Sequence, residues 1–448
     1  MRYIFTVFIC KIFIFALKLM GKKATSAPGK LAFRLYPDIL KCFQKKVKKE
    51  IIAVMGTNGK TTTNNLLADV LEKEGYSVAC NRLGANMDEG AVVAFIEKCN
   101  LFGGINVDYA CLEMDEGWAE YIFKMITPHK IAVTNLFRDQ LDRYGEADTT
   151  VNFLQRAIAL APDATLILNG DDPVTTAMAK DFSNKKIFFG IKDKEFEKSK
   201  APNEGKLCPV CKSVLKYDFY HFSQLGKYSC DCGFSRPEPD ISAKNVSLFP
   251  CLSFDIEGLG KLSLNGRGKY NIYNILAVCA CSVNAGASFE SLLSVAQNYK
   301  PQAGRLEKFT LSGKDVYLLL AKNPAGFNQS VETTVEDPAE KDVIIAVNDG
   351  IGDGKDISWL WDVDFEDLLV PQTKSLSLSG TRYADVGLRF KYSGLFESEM
   401  ALSPNIKERI KELVSAGSGK SIYLLVNYTA LFPTQAVLKE LEGENNGN

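Results

Sequence analysis

Gly56-Thr57-Asn58-Gly59 is followed at once by Lys60, Thr61 and Thr62. Successive backbone N–H groups can converge on an anion only where no Cβ intervenes, and a helix starting at Lys60 adds its partial positive end. The chemistry is phosphate binding: Lys60 reaches the outer phosphates, and the Thr61 hydroxyl sits on the magnesium that bridges them. The loop is one or two residues shorter than the usual G-x-x-x-x-G-K-[ST] spacing. A plain glycine turn before a lysine-started helix is the competing reading.

A second group of chemical residues is made of thiols. Cys208-Pro-Val-Cys211 and Cys230-Asp-Cys232-Gly233 are two close pairs with eighteen residues between them. Four thiolates on two tight turns suit a closed tetrahedral zinc site, with no position left open for catalysis. His221 lies between the pairs and is not expected to be a ligand. A third group is acidic: Asp349, Asp353 and Asp356 share one glycine-rich loop, for which a plain solvated loop is the alternative. Histidine chemistry has almost nowhere to be, because His129 and His221 are the only two, and neither stands beside a cysteine in a nucleophile-like turn.

These residues need elements to hold them. Ile51–Met55 is an apolar β-type run that feeds the glycine turn. From there to about residue 300 the pattern is βα repeated, with strands expected at YSVAC, DYACLEM, KIAVTNL, TLILNG and KIFFG. Such alternation predicts a parallel sheet wrapped by helices, with ligand at the carboxyl ends of the strands. Glu113 stands at one such end, where a carboxylate could hold magnesium directly or through water; capping a helix is its other reading. Asn135–Tyr144 and the NGDDP turn at 169–173 begin likewise at strand ends, and for NGDDP an ordinary turn competes. Between about 200 and 240 the rhythm stops for the cysteine pairs, which read as a small inserted ribbon that folds on its metal. NGRGKYNIYNILAV (265–278) turns through glycines into a helix carrying Asn271 and Asn274. Arg305 follows Gly304 at a domain junction. Strands at DVYLLLA, DVIIAVND, SLSLSG and SIYLLVN then build a second, smaller α/β domain.

The fold class is therefore α/β: an N-terminal helical segment over 1–48, a central phosphate-binding domain over 49–300 with the insertion at about 200–240, and a Rossmann-like domain over 301–448. Residues 3–20 are apolar enough to suggest a membrane span, yet Lys11 interrupts them at the midpoint. We expect a helix packed on the protein or lying on a membrane surface, followed by a second helix over 31–48. With 53 basic against 54 acidic residues, nucleic acid is not expected as a partner. Twelve cysteines, mostly single and in apolar surroundings (Cys80, Cys111, Cys279, Cys281), fit buried thiols in a reducing cytoplasm.

GTNGKTTT (56–63), Glu113, TNLFRDQLDRYG (134–145), LNGDDP (168–173), YNIYNILA (270–277) and GRLEKF (304–309) occur in the order found in the Mur ligases, and the chain resembles that family of ATP-dependent amide-forming enzymes of peptidoglycan synthesis. Gln140 stands where those ligases usually carry a histidine, no match to their carbamylated lysine is found, and only about fifty residues precede the loop, too few for a UDP-sugar domain. The cysteine insertion with AKNPAGFNQ (321–329), NDGIGDGKDISWLWDVDFE (348–366) and SGTRYADVGLRFKYSG (379–394) resembles the branch that amidates lipid II. The resemblance implies ATP bound by Gly56–Thr62 and Arg305, with Asn271 and Asn274 at the adenine or ribose, and magnesium at Thr61 and Glu113. It implies structural zinc on Cys208, Cys211, Cys230 and Cys232. It also implies that the D-glutamate α-carboxylate of lipid II is phosphorylated and attacked by ammonia. The ammonia would come from a GatD-type glutaminase partner, whose catalytic triad Asp356 completes, at the inner face of the membrane. A stand-alone amino-acid ligase of the folylpolyglutamate or ordinary Mur type, and a non-enzymatic nucleotide-binding scaffold, are the alternatives.

Overall fold

The computed structural model describes the chain apart from residues 22–23, 83, 138–146, 194–204, 249–250, 302–303, 351, 396–399 and 447–448. Helices α1 (Arg2–Leu19), α2 (Ala27–Leu35) and α3 (Ile39–Gln44) lead into strand β1 (Val47–Met55), whose last five residues are buried. A continuous apolar run of that kind is what a parallel strand covered on both faces requires. Helix α4 (Lys60–Lys73) follows, then β2 (Val78–Cys80), β3 (Val107–Glu113), β4 (Lys130–Val133), β5 (Thr165–Asn169) and β6 (Lys186–Ile191). A hairpin, β7 (Lys216–Phe222) and β8 (Leu225–Ser229), stands apart, and β9 (Ile241–Ser247), β10 (Leu252–Ile256) and β11 (Gly260–Leu264) return to the main sheet. Its order is β11-β10-β9-β6-β5-β4-β1-β3-β2. The chain leaves β1 toward one edge and resumes at β4 on the other side, so the strand order reverses beside β1. In an open parallel sheet that reversal opens a ligand crevice at the carboxyl ends.

Helices cover both faces. The helices Asp88–Lys98, Glu116–Phe123 and Ala147–Ala159 share one apolar core with α1 to α3, whereas α4 and the helices Tyr270–Val283 and Phe289–Gln297 share the other. The first 48 residues are thus not a separate unit: Val7, Cys10, Ile39 and Phe43 are fully buried in the same core as Ile51 and Ala53. Lys11, which breaks the apolar run, donates to the carbonyls of Ile96, Glu97 and Cys99 and so caps the end of Asp88–Lys98, where a cation meets the helix dipole favourably. Lys18 pairs with Glu97 at 2.7 Å. No helix among the described residues is long and apolar enough to cross a membrane.

Two expectations are corrected. The helix over 31–48 is two short helices, because Tyr36 precedes Pro37 and is extended (φ −151°, ψ 92°), as a pre-proline residue must be; β1 has already begun at Val47. The βα alternation also ends early, since β9, β10 and β11 form an antiparallel edge.

The second domain carries a sheet of order β12-β13-β17-β14-β15-β16, built from β12 (Arg305–Leu311), β13 (Lys314–Leu320), β14 (Lys341–Ala346), β15 (Thr373–Ser379), β16 (Met400–Leu402) and β17 (Ser421–Val426). All neighbours are parallel except β12 on β13, an antiparallel edge the sequence reading did not anticipate. The domains meet through Lys269, which pairs with Glu332 (2.9 Å) and Glu336 (3.1 Å), and through Arg267 with Asp337 (3.4 Å). The junction turns at Gly304 (φ +71°), where a side chain would strike Leu431 and Leu320.

Candidate nucleotide site and thiol cluster

Strands β3, β1 and β4 are neighbours in parallel register, with Val54 opposite Glu113 and Met55 opposite Val133. Their carboxyl ends therefore deliver Gly56–Thr62, Glu113 and Thr134–Asn135 to one place. Gly56 (φ +121°) and Gly59 (φ +84°) hold conformations that side chains rarely adopt; a Cβ would strike the Thr134 hydroxyl at Gly56 and the Asn274 amide at Gly59. The turn is cradled from β4: the Asn58 N–H donates to Asn135 Oδ1 (2.9 Å), while Asn135 Nδ2 (3.0 Å) and the Thr134 hydroxyl (2.7 Å) donate to the Asn58 carbonyl. Thr57 N–H donates to Asn135 O (2.8 Å).

Lys60 donates to Gly56 O (2.5 Å) and to Glu116 Oε1 (3.0 Å), and Glu116 Oε1 also accepts the Gly56 N–H (2.7 Å). Burial raises the Glu116 carboxyl pKa, and the Lys60 ammonium partly offsets it. Glu113 is locked at its strand end by Asn81, which accepts its N–H (2.9 Å) and donates to its carbonyl (2.8 Å). Its carboxylate is 3 % exposed, and Oε2 has no hydrogen-bond partner. Burial raises this pKa also, against the pull of Lys60, the Thr61 hydroxyl and Lys322. An orphaned, buried carboxylate oxygen beside a threonine hydroxyl is a set of oxygen ligands that fits a divalent cation.

Asn274 and Asn271 are both 4 % exposed and joined by an Asn274 Nδ2 to Asn271 Oδ1 bond (3.1 Å); Asn271 Nδ2 donates to Arg267 O (2.7 Å). Asn274 abuts Gly59, so the pair backs the phosphate turn. Arg305, first residue of β12, acts electrostatically on Tyr270 and Tyr299, and the Tyr299 hydroxyl bonds Thr62.

The two carboxylates of NGDDP are structural. Asp171 is fully buried; Oδ1 accepts Arg236 Nε (2.6 Å), and Oδ2 accepts the Tyr273 hydroxyl (2.8 Å) and Ile191 N–H (2.9 Å). Asp172 caps the helix Pro173–Met178 and receives Leu136 N–H (2.7 Å) and Gln224 Nε2 (2.7 Å).

In the insertion, the sulfurs of Cys208, Cys211, Cys230 and Cys232 all lie within 4.8 Å of one another, with Cys208 to Cys232 at 3.8 Å and Cys211 to Cys230 at 3.4 Å. Zinc–sulfur bonds of about 2.3 Å in a tetrahedron set sulfurs about 3.8 Å apart, so the cluster has the dimensions of a closed zinc site. The Ser213 hydroxyl and N–H, with the Cys230 and Cys232 sulfurs, pull the Cys211 thiol below its ordinary range, the direction that thiolate ligation requires. His221 is fully buried outside the cluster, 5.1 Å from the Phe219 ring; His129 Nδ1 accepts the Ile51 N–H (3.0 Å).

The three loop aspartates, which look alike in sequence, separate here. Asp353 is 6 % exposed and accepts both N–H and hydroxyl of Thr429. Asp349 is held by the Thr381 hydroxyl (2.8 Å) and Arg382 (3.0 Å), which depress its pKa. Asp356 is exposed, with Oδ1 accepting the Ser358 N–H (2.8 Å). Sequence reasoning missed Glu116 and Lys322. Lys322 follows the end of β13, and its ammonium lies 4.9 Å from the Tyr428 ring; a basic residue straight after an expected strand end was the available signal. Gln140 lies outside the described residues.

Comparison with known proteins agrees with this geometry. The Mur ligase middle domain matches residues 54–282 and the MurT ligase C-terminal domain residues 320–431. The chain is 35% identical over 425 residues to the MurT subunit of lipid II isoglutaminyl synthase (glutamine-hydrolyzing) of Staphylococcus aureus strain COL, covering 93% of each chain. It is 34% identical over 432 residues to the subunit of the same name from Streptococcus pneumoniae, covering 95% of this chain and 94% of that one. Among solved structures, a pseudomurein peptide ligase type C from Methanothermus fervidus superposes with a TM-score of 0.70 at 24% identity, over 90% of this chain and 81% of that one. MurF from Acinetobacter baumannii gives 0.67 at 17%, over 92% and 80%; these two bear on the fold alone. On the strength of the near full-length identity, the chain belongs to the MurT family of Mur-type ligases.

Proposed function

We propose that this chain is the ATP-dependent ligase subunit of a lipid II isoglutaminyl synthase, and that it converts the D-glutamate α-carboxylate of lipid II into an amide. The observation that carries the reading is the buried, unpartnered Glu113 Oε2 beside the Thr61 hydroxyl and Lys60, at the end of a phosphate-binding turn.

A carboxylate resists an amine because its oxygen is a poor leaving group and its charge repels attack. Transfer of the γ-phosphoryl group of ATP to a carboxylate oxygen breaks the bond to ADP and gives an acyl phosphate. Ammonia then adds to the carbonyl carbon, loses a proton, and expels phosphate. Gly56–Thr62 would hold the phosphates, with Asn271 and Asn274 behind the turn on the nucleoside side. A magnesium ion at Thr61 and Glu113 would supply charge neutralisation between the phosphates. Lys60, Arg305 and Lys322 add positive charge where the transferred group gains negative charge. For Lys60 to do so it must exchange Glu116 and Gly56 O for phosphate oxygens.

Asp349 and Asp353 bind Thr381 and Thr429, which follow β15 and β17, and Asp356 comes three residues after Asp353 in the same loop. From the resemblance of the 348–366 stretch to this family, we assign to Asp356, an exposed residue, the acid of a triad whose cysteine and histidine belong to a GatD-type glutaminase. The reaction belongs in the cytoplasm, at the inner membrane face, and zinc on the four cysteines is structural. Asp356→Asn should abolish amidation of lipid II driven by glutamine and leave amidation driven by free ammonia. Survival of both activities removes the triad assignment, and ATP turnover without any partner favours a stand-alone ligase.

A further inference from the structure

Helix α1 carries two apolar faces. Val7, Cys10, Ile14 and Leu17 are buried against the central domain. On the opposite side, Ile4, Phe5, Phe8, Ile12, Phe15 and Leu19 are 41–73 % exposed. At 100° per residue these six fall within about a 100° arc facing away from the buried arc. Beside the first turn, where the Tyr3 hydroxyl donates to Gly103 O (2.9 Å), Phe102 is 79 % exposed. A helix apolar all round is normally covered on all sides, and a contiguous exposed apolar stripe marks an interaction surface.

Charge says what covers it. Residues 1–49 hold twelve lysines and arginines and a single acid, Asp38. The whole chain stands at −1, so the remainder carries an acid excess of twelve. Arg2, Lys18, Lys41, Lys45 and Lys46 are exposed, and Lys46 stands 5.2 Å from the Tyr3 ring at the foot of α1. A second copy of this surface would be repelled, whereas a bilayer with anionic headgroups offers both an apolar layer and negative charge.

We propose that α1 lies in the surface of an anionic lipid bilayer, with Ile4, Phe8, Ile12, Phe15 and Leu19 in the headgroup–acyl boundary and the surrounding basic residues on the headgroups. The helix lies on the membrane and does not cross it, because its other face and the Lys11 anchor are committed to the protein. This inference rests on α1 and its charges and not on the amidation reading; vesicle binding without amide formation, or the converse, separates the two.

The test is flotation of the full chain with vesicles of about one-third phosphatidylglycerol in phosphatidylcholine, against phosphatidylcholine alone. Binding to the anionic vesicles should exceed binding to the neutral ones by about tenfold and weaken in high salt. Phe8→Ser with Phe15→Ser should lower it by at least about tenfold, with an unchanged melting temperature because both side chains are exposed. Equal binding to the two vesicle types overturns the proposal, and so does an unaffected double variant. Failure to float, together with a change of oligomeric state on Phe8→Ser/Phe15→Ser, assigns the stripe to a second copy and overturns it as well.

Discussion

Asp171→Asn probes how the thiol-bearing insertion is fastened to the nucleotide domain. Asp171 is fully buried and Arg236 is 5 % exposed at the side chain. Each carboxylate oxygen faces a group that can only donate, Arg236 Nε on one side and the Ile191 N–H, beside the Tyr273 hydroxyl, on the other. An asparagine must point its NH₂ at one of those sets, so no rotamer restores the network, and a buried guanidinium loses its counter-charge. Breaking a buried pair in this way costs about 3–5 kcal/mol. At about 2–4 °C per kcal/mol for a domain of this size, the melting temperature should fall by about 6–20 °C. Thermal unfolding followed by circular dichroism, with and without saturating zinc, measures it. Adding Arg236→Met removes the stranded cation and should recover most of the loss, which a double-mutant cycle quantifies. A single variant within about 1 kcal/mol of the parent, or a double variant no better than the single, refutes the reasoning.

Three further expectations concern the site itself. Burial raises the Glu113 pKa, so the folded state holds that proton more tightly than the unfolded chain. Its favourable contribution is full below the ordinary carboxylate value and is lost as pH rises through the raised one. Glu113→Gln should therefore make the nucleotide-free protein more stable at neutral pH, with the gain vanishing toward acid, while magnesium–ATP binding measured by calorimetry is lost; a destabilised variant at neutral pH contradicts this. Gly59→Ala places a side chain in a left-handed conformation, worth about 1–2 kcal/mol, and against the Asn274 amide, so ATP affinity by equilibrium binding should drop at least about tenfold. Cys211→Ser should reduce zinc, measured by elemental analysis, from one ion per chain toward none, and expose residues 205–240 to limited proteolysis.

Strands β1 to β6, β13 to β15 and β17 were legible because each is a compact, largely apolar or alternating run bounded by turn residues, and IIAVM before a glycine turn leaves little choice. The cysteine spacing was legible for a similar reason, since two close pairs bring their own geometry. What was hidden depends on partners far along the chain. Asp171 finds Arg236 sixty-five residues away and Asp172 finds Gln224 fifty-two away, so nothing local marks these acids as structural. Asp353 is held by Thr429, seventy-six residues on, and is buried, whereas Asp356 is exposed. Strands β9 to β11 (ISAKNVS, LSFDI, GKLSL) mix polar with apolar residues and offer no continuous apolar run. Lys322 and Glu116 gain meaning only when strand ends from different parts of the chain converge.

Those long-range contacts also explain what a structural thiol cluster contributes to a nucleotide-binding domain. The insertion's own core is small, built around Cys208, Leu215, Tyr228, Cys230 and Phe234, and a unit of that size needs metal or covalent help to fold. Between β7 and β8, Gln224 donates to both Leu136 O (3.0 Å) and Asp172 Oδ1 (2.7 Å), and Asp172 Oδ2 in turn accepts the Leu136 N–H (2.7 Å). Leu136 adjoins Asn135, whose side chain grips Asn58 from both its N–H and its carbonyl. Hydrogen bonds and the single peptide link between Leu136 and Asn135 thus lead from the hairpin between the cysteine pairs to the Gly56–Thr62 turn. The turn's two glycines give it freedom it must not use, and the backbone of Asn58 is fixed from outside; the hairpin braces the strand end that does the fixing.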